Sequence, residues 1–155
     1  MSAARIFTPE NRLANILQSR NGPTTSEMLA DATQRVEALQ ASIETFVAGK
    51  LNMILPFADQ NDDVLFAECR TLADTATQIA EVAAAANLGA VGEISRGIVT
   101  MVDGLVVLGV WHSEALRVHI RALKIVTQGQ DQPVGEGDAI VESLRQMRMA
   151  VGLKD

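Results

Sequence analysis

Tyrosine is absent from this chain, and four phenylalanines and one tryptophan, Trp111, are its only aromatic residues. A sheet core leans on aromatic and β-branched side chains. An apolar content of 48%, supplied mostly by Ala, Val, Leu and Ile, favours closely packed helices instead. Cysteine is nearly missing too. With Cys69 alone, no internal disulfide and no cysteine-based metal cluster can be built, which fits a reducing compartment. Positive charge is in short supply: 13 Lys and Arg against 19 Asp and Glu leave a net charge of -6, which repels a phosphate backbone. Nucleic acid is therefore not an expected partner, and another protein is. No apolar run approaches the ~20 residues that span a bilayer. The opening "MSAARIFTPENRL" lacks the basic-then-apolar order of a secretion signal. The expectation is a cytoplasmic protein with no membrane insertion.

What the chain does have is helical periodicity, in a length of 155 residues that suits one domain. Residues 1–23 read as an N-terminal arm closed by "NGP". Thr24 and Glu27 have capping-box spacing, and Met28, Ala32, Val36, Leu39, Ile43, Phe46, Lys50 and Ile54 then recur at intervals of three or four. Lys50 alone interrupts that stripe, and Pro56 should end the helix. "DQNDDVLF" offers capping side chains for a second helix with Leu65, Cys69, Leu72, Ala76, Ile79, Ala83 and Ala86 as its seam, closed at Gly89. A third helix follows through Val91, Ile94, Ile98, Met101 or Val102, and Leu105, with Gly104 and Gly109 loosening its end. A fourth starts near Ser113, with Leu116, Ile120 and Leu123 inward and Arg117, Arg121 and Lys124 on the other side. Residues 128–137 form a polar linker, and Asp138 caps a last helix bearing Ile140, Val141, Leu144, Met147 and Val151. The pattern predicts an all-α fold. Residues 24–127 form an antiparallel four-helix bundle, and the 138–155 helix packs on the bundle or on a partner.

The second and third helices resemble the central hairpin of histidine phosphotransfer domains, whose pattern is approximately Ala-His-x-Leu-Lys-Gly-Ser-Ala-x-Asn-Leu-Gly. "AAANLGA" at residues 84–90 matches its closing part. Ile79 then stands at the family's histidine, Val82 at its lysine and Ala83 at its glycine, so the resemblance implies a phosphotransfer-like bundle without its phosphoacceptor. Over most of the chain, "LGAVGEISRGIVTMVDGL", "VHIRALKIV" and "AIVESLRQM" in that order resemble the small proteins called CheE of alphaproteobacterial chemotaxis clusters. This second resemblance implies an accessory role beside response-regulator receiver domains and chemotaxis kinases, with no catalytic residues to carry over.

Outward positions of the second helix are Arg70, Asp74, Gln78 and Glu81, which share a face at spacings of four, four and three. They are either a solvated face or a docking surface for a receiver or kinase. Asp74 and Gln78 also resemble the acid and amide of helical receiver phosphatases, in which the amide orients an attacking water. Glu142 and Gln146 repeat that spacing elsewhere, so spacing alone does not single out the pair. His119, between Leu116 and Leu123, reads as a packed imidazole at the border of an apolar face, and His112, beside Trp111, as a loop or cap residue. Two histidines and one cysteine make no metal signature, and no phosphate loop or Gly-x-Ser-x-Gly elbow is present, so no cofactor is expected. Arg117, Arg121 and Lys124, with Arg145 and Arg148, form a possible basic rim for an acidic partner. The last helix, with Met147 and Met149, offers a third role in homodimerisation. The expectation is a non-catalytic signalling module, with a receiver phosphatase and a structural dimerisation protein as alternatives.

Overall fold

The computed structural model describes residues 24–128 and 135–153, so the expected arm at 1–23 and most of the expected linker lie outside the described residues. The described residues are helical and contain no strand. Among the described residues six α-helices follow one another: α1 (Thr25–Ile54), α2 (Asp62–Ala67), α3 (Cys69–Val82), α4 (Gly89–Leu108), α5 (Ser113–Gln128) and α6 (Glu136–Ala150). Short 3-10 turns at Leu55–Asp59 and Ala83–Ala86 link α1 to α2 and α3 to α4. The chain forms two compact units, Met1–Glu37 and Ala38–Asp155, with α1 contributing residues to both.

In the first unit the described residues are the opening turns of α1. Thr24 and Glu27 close a reciprocal cap: the Thr24 amide donates to Glu27 Oε2 at 2.7 Å and the Glu27 amide to Thr24 Oγ1 at 3.2 Å. These bonds hold the Glu27 carboxyl below the usual carboxylate range. Asp31 and Arg35 pair one turn apart at 2.8 Å. Met28, Leu29 and Val36 are exposed.

The second unit holds the core. The stripe expected for α1 turns inward only in part: Ile54 is buried and Ile43 is half-buried against the core. Val47, Leu51 and Ile54 are buried, whereas Leu39 and Phe46 face water. Burial requires a surface to pack against, and the core of this unit meets the helix on the 47, 51, 54 side. Pro56 ends α1 as expected, inside the 3-10 turn.

The second expected helix is two helices with a break at Glu68, whose amide reaches the carbonyls of Val64 and Phe66. The short α2 has ties of its own. Asn61 caps it through the Val64 amide at 3.0 Å, Phe66 packs edge-on against Trp111 at 5.6 Å between ring centroids, and Asp62 pairs with Arg117 of α5. The seam nevertheless holds on both sides of the break: Leu65, Leu72, Ala76, Ile79, Ala83 and Ala86 are all buried, and only Cys69 is half-buried. Each large aliphatic there contributes about 1.5–3 kcal/mol by leaving water.

Asn87, not Gly89, takes the left-handed conformation between α3 and α4, with φ 58°, and the Leu88 amide closes the turn on the Ala83 carbonyl at 2.9 Å. Asparagine tolerates that region, and Gly89 is left to start α4. Gly92 lies against Ala83 and Ala80 beside the turn, and Thr77 borders the same depression as Val99 and Thr100 farther from it, so α3 and α4 run antiparallel. The core is completed by Ile94, Ile98 and Met101 of α4, Leu116, Ile120 and Leu123 of α5, and Leu144 of α6. Gly104 does not loosen the end of α4. It sits inside the helix under Leu153, whose Cδ2 would lie 2.2 Å from an added Cβ. Helix α5 reaches Gln128 and α6 begins at Glu136, two residues before the expected cap Asp138.

Candidate partner-binding face

Arg70, Asp74, Gln78 and Glu81 are all exposed on α3. They are a consequence of the seam behind them. Leu72, Ala76, Ile79 and Ala83 turn inward at intervals of four, three and four, so the polar residues between them are turned out in a line about 16 Å long at 1.5 Å per residue. Ile79 is fully buried, and a side chain at that position does not reach water. A shallow depression adjoins the line, floored by Ala80 and Val99 and edged by Thr77, Glu81, Arg96 and Thr100. The face therefore combines charge of both signs, an amide and a strip of apolar surface. Nothing in the spacing pointed to the Arg96, Val99 and Thr100 side, because spacing within one helix does not tell which turn of its neighbour lies alongside.

Asp74 and Gln78 stand one turn apart and no hydrogen bond joins them. The pair with the same spacing on α6 differs: Gln146 Nε2 donates to Glu142 Oε1 at 3.1 Å. An amide already committed to its neighbour is poorly placed to orient a water for attack on a third group, so geometry separates two motifs that spacing could not.

The expected basic rim is largely spent within the chain. Arg117 is buried rather than outward. It donates to the Gln60 carbonyl through Nε and Nη2, at 3.3 and 2.9 Å, and pairs with Asp62 and Glu114. Hydrogen bonds from Arg117 and Ser113 hold the Asp62 carboxyl below the usual carboxylate range. Arg121 donates to the Ala58 carbonyl at 3.3 Å and lies 4.0 Å from Asp59. The reason is local: the 3-10 turn after α1 presents unpaired carbonyls, and two arginines of α5 satisfy them. Lys124 remains exposed.

Arg148, read from sequence as a surface cation, is also buried and meets His119. His119 Nδ1 lies 2.8 Å from the Ala115 carbonyl and so carries the proton there, which leaves Nε2 to accept from Arg148 Nη1 at 3.3 Å. Burial first, then the Arg148 charge, push the imidazole pKa below its ordinary value. Gly97 of α4 makes room for both, since a Cβ there would lie 2.7 Å from Arg148 Nη1 and 2.8 Å from His119 Cδ2. His119 is thus a packed imidazole, and His112 is exposed in the loop before α5. Helix α6 packs on its own chain, burying Leu144 and Arg148 while Met149 stays exposed.

Among the described residues, no group of three or more His, Cys, Asp or Glu is placed to hold a metal ion, and no helix is long and apolar enough to cross a membrane. Compared with family models, with curated proteins and with solved structures, the chain shows no significant match.

Proposed function

We propose that this chain is a non-catalytic accessory protein of two-component or chemotaxis signalling that docks a response-regulator receiver domain, or its kinase, on the α3 face. In this reading the helices are a phosphotransfer-like antiparallel four-helix bundle with an N-terminal arm and an extra C-terminal helix, working in the cytoplasm. The observation that carries the reading is Ile79. It holds the position of the phosphoaccepting histidine in the resemblance to phosphotransfer hairpins, and it is fully buried while Arg70, Asp74, Gln78 and Glu81 stand exposed around it. A hairpin of this kind keeps a surface for a receiver and has no nucleophile to offer it. Binding alone then regulates, because an occupied receiver cannot meet another partner. The test is calorimetric titration with isolated receiver domains, each with and without beryllofluoride. The expected result is binding that differs between the two states and is lost in the Asp74→Lys, Glu81→Lys double variant. No heat with any receiver, checked by a tracer method, ends the proposal.

The open Asp74 and Gln78 pair favours one second reading, a receiver phosphatase. In it Gln78 orients water for in-line attack on the phosphoryl aspartate and Asp74 engages the receiver's lysine. Gln78→Ala separates the two: lost dephosphorylation with retained binding marks the enzyme, and unchanged phosphoryl lifetime with wild-type protein marks the docking module.

A further inference from the structure

Leu29, Ala32, Val36, Leu39, Ile43, Phe46, Lys50 and Met53 follow one another at alternating intervals of three and four along α1. That is the a/d register of a coiled coil, sustained for more than three heptads. Most of the large side chains that fill it are open to solvent: Leu29 is 68% exposed, Val36 63%, Leu39 60%, Phe46 42% and Met53 53%, while Ile43 is half-buried against the core and Lys50 is half-buried. Leu29, Ala32 and Val36 belong to the first compact unit and Leu39 to Met53 to the second, and in each the large residues other than Ile43 and Lys50 are exposed. The core of the second unit takes Val47, Leu51 and Ile54 from a neighbouring side of the same helix, and of this register's apolar side chains it takes Ile43 alone, half-buried at its edge.

We propose that α1 pairs with α1 of a second copy of this chain as an antiparallel coiled coil. A helix with a heptad seam is best covered by a helix with the same period, and a second copy supplies one by construction. The area is sufficient: the exposed a and d side chains, with neighbouring Met28, leave on the order of 600 Å² per copy, so pairing buries about 1,200 Å², the lower bound of a specific interface. Charge then chooses the direction. The positions flanking the seam are Met28, Arg35, Ser42 and Gly49 on one side and Thr33, Gln40, Val47 and Ile54 on the other, so Arg35 is the only charge and no like pair opposes it. Lys50 is the one charge inside the seam. Parallel pairing in register sets two Lys50 ammonium groups face to face, whereas antiparallel pairing moves them apart and brings each to the opening turn of the other helix near Thr25.

The test is sedimentation equilibrium on the full chain. A dimer that becomes monomeric on Val36→Glu with Leu39→Glu, at unchanged helical content, is expected, because both residues lie on the exposed side and their replacement leaves the core intact. A wild-type monomer at roughly 100 μM, or a dimer indifferent to the double variant, overturns the proposal. Lys50→Leu is expected to tighten the dimer tenfold or more by removing a charge from the seam, and no change counts against it. Spin labels on Ala48→Cys in a Cys69→Ser background read the direction. Antiparallel pairing centred between residues 36 and 39 separates the labels by about 30 Å along the axis, at 1.5 Å per residue. A separation below about 20 Å means parallel strands and overturns the antiparallel assignment.

Discussion

Helices α1 and α3 carry apolar residues at the same intervals and meet opposite fates. In α3 and the turn after it, Leu72, Ala76, Ile79 and Ala83 are at most 1% exposed, while on α1 Leu29, Val36 and Leu39 are each at least 60% exposed. Periodicity identifies a helix with a seam and leaves open what covers the seam. For α3 the cover is in the chain, since α4 returns directly along it after a turn at Asn87. For α1 the intramolecular role falls to Val47, Leu51 and Ile54 with Ile43 at their edge, and the exposed heptad positions are left for something else.

The sharpest way to break this contrast is to delete one aliphatic side chain from each helix. Ile79→Ala removes a fully buried group from a close-packed core and is expected to cost about 2–5 kcal/mol in urea unfolding. Leu39→Ala, measured at a concentration where the chain is monomeric, removes an exposed one and is expected to stay within about 0.5 kcal/mol. Equal losses would mean that the α1 stripe is covered within the monomer.

Helix existence and type were legible in the sequence, because strict spacing in "LADTATQIAEVAAAANLG" and the Thr24 and Glu27 cap are local signals with local causes. The buried face of α3, and with it the exposed Arg70, Asp74, Gln78 and Glu81, followed from the same spacing. What escaped were features decided between elements. The inward side of α1 depends on where the core lies. The burial of Arg117 depends on carbonyls presented 57 residues earlier by Gln60. Arg148 looked like a surface cation because nothing in "ESLRQMRMA" reveals that it lies against His119 across the space left by Gly97. The break at Glu68 escaped as well, since the seam runs through it without a missed step.

Two glycines carry the contrast to a smaller scale. Gly97→Ala pushes a methyl group towards Arg148 and His119, neither of which can move without disturbing a buried hydrogen bond, and is expected to cost about 1–3 kcal/mol. Gly49 lies within α1 with nothing inside 4 Å of an added Cβ. Gly49→Ala is expected to stabilise the chain by about 0.4–1 kcal/mol through helix propensity and a less disordered unfolded state. Thermal unfolding of the two variants in parallel checks both signs.

Acid distinguishes the regions most gently. The His119 pKa is pushed below its ordinary value of 6.5 by burial and by Arg148, so the unfolded chain binds this proton before the folded one does. Stability from the neutral, packed imidazole is therefore complete above pH 6.5 and falls as pH drops from there towards the lowered folded value. On α1 the shifted group is Glu27, held below its ordinary 4.5 by the Thr24 cap, whose contribution is kept until the pH falls beneath that value. Asp62 is shifted downward from 3.8 and stays ionised over the same upper window. Amide exchange measured between pH 7 and 5 and corrected for its intrinsic pH dependence should therefore show protection declining first where α4, α5 and α6 meet around His119. The Thr24 to Glu27 cap should hold. Loss of protection at the cap before the His119 contact would mean that Arg148 does not stand against a neutral imidazole, and the packing assigned to Gly97 would fall with it.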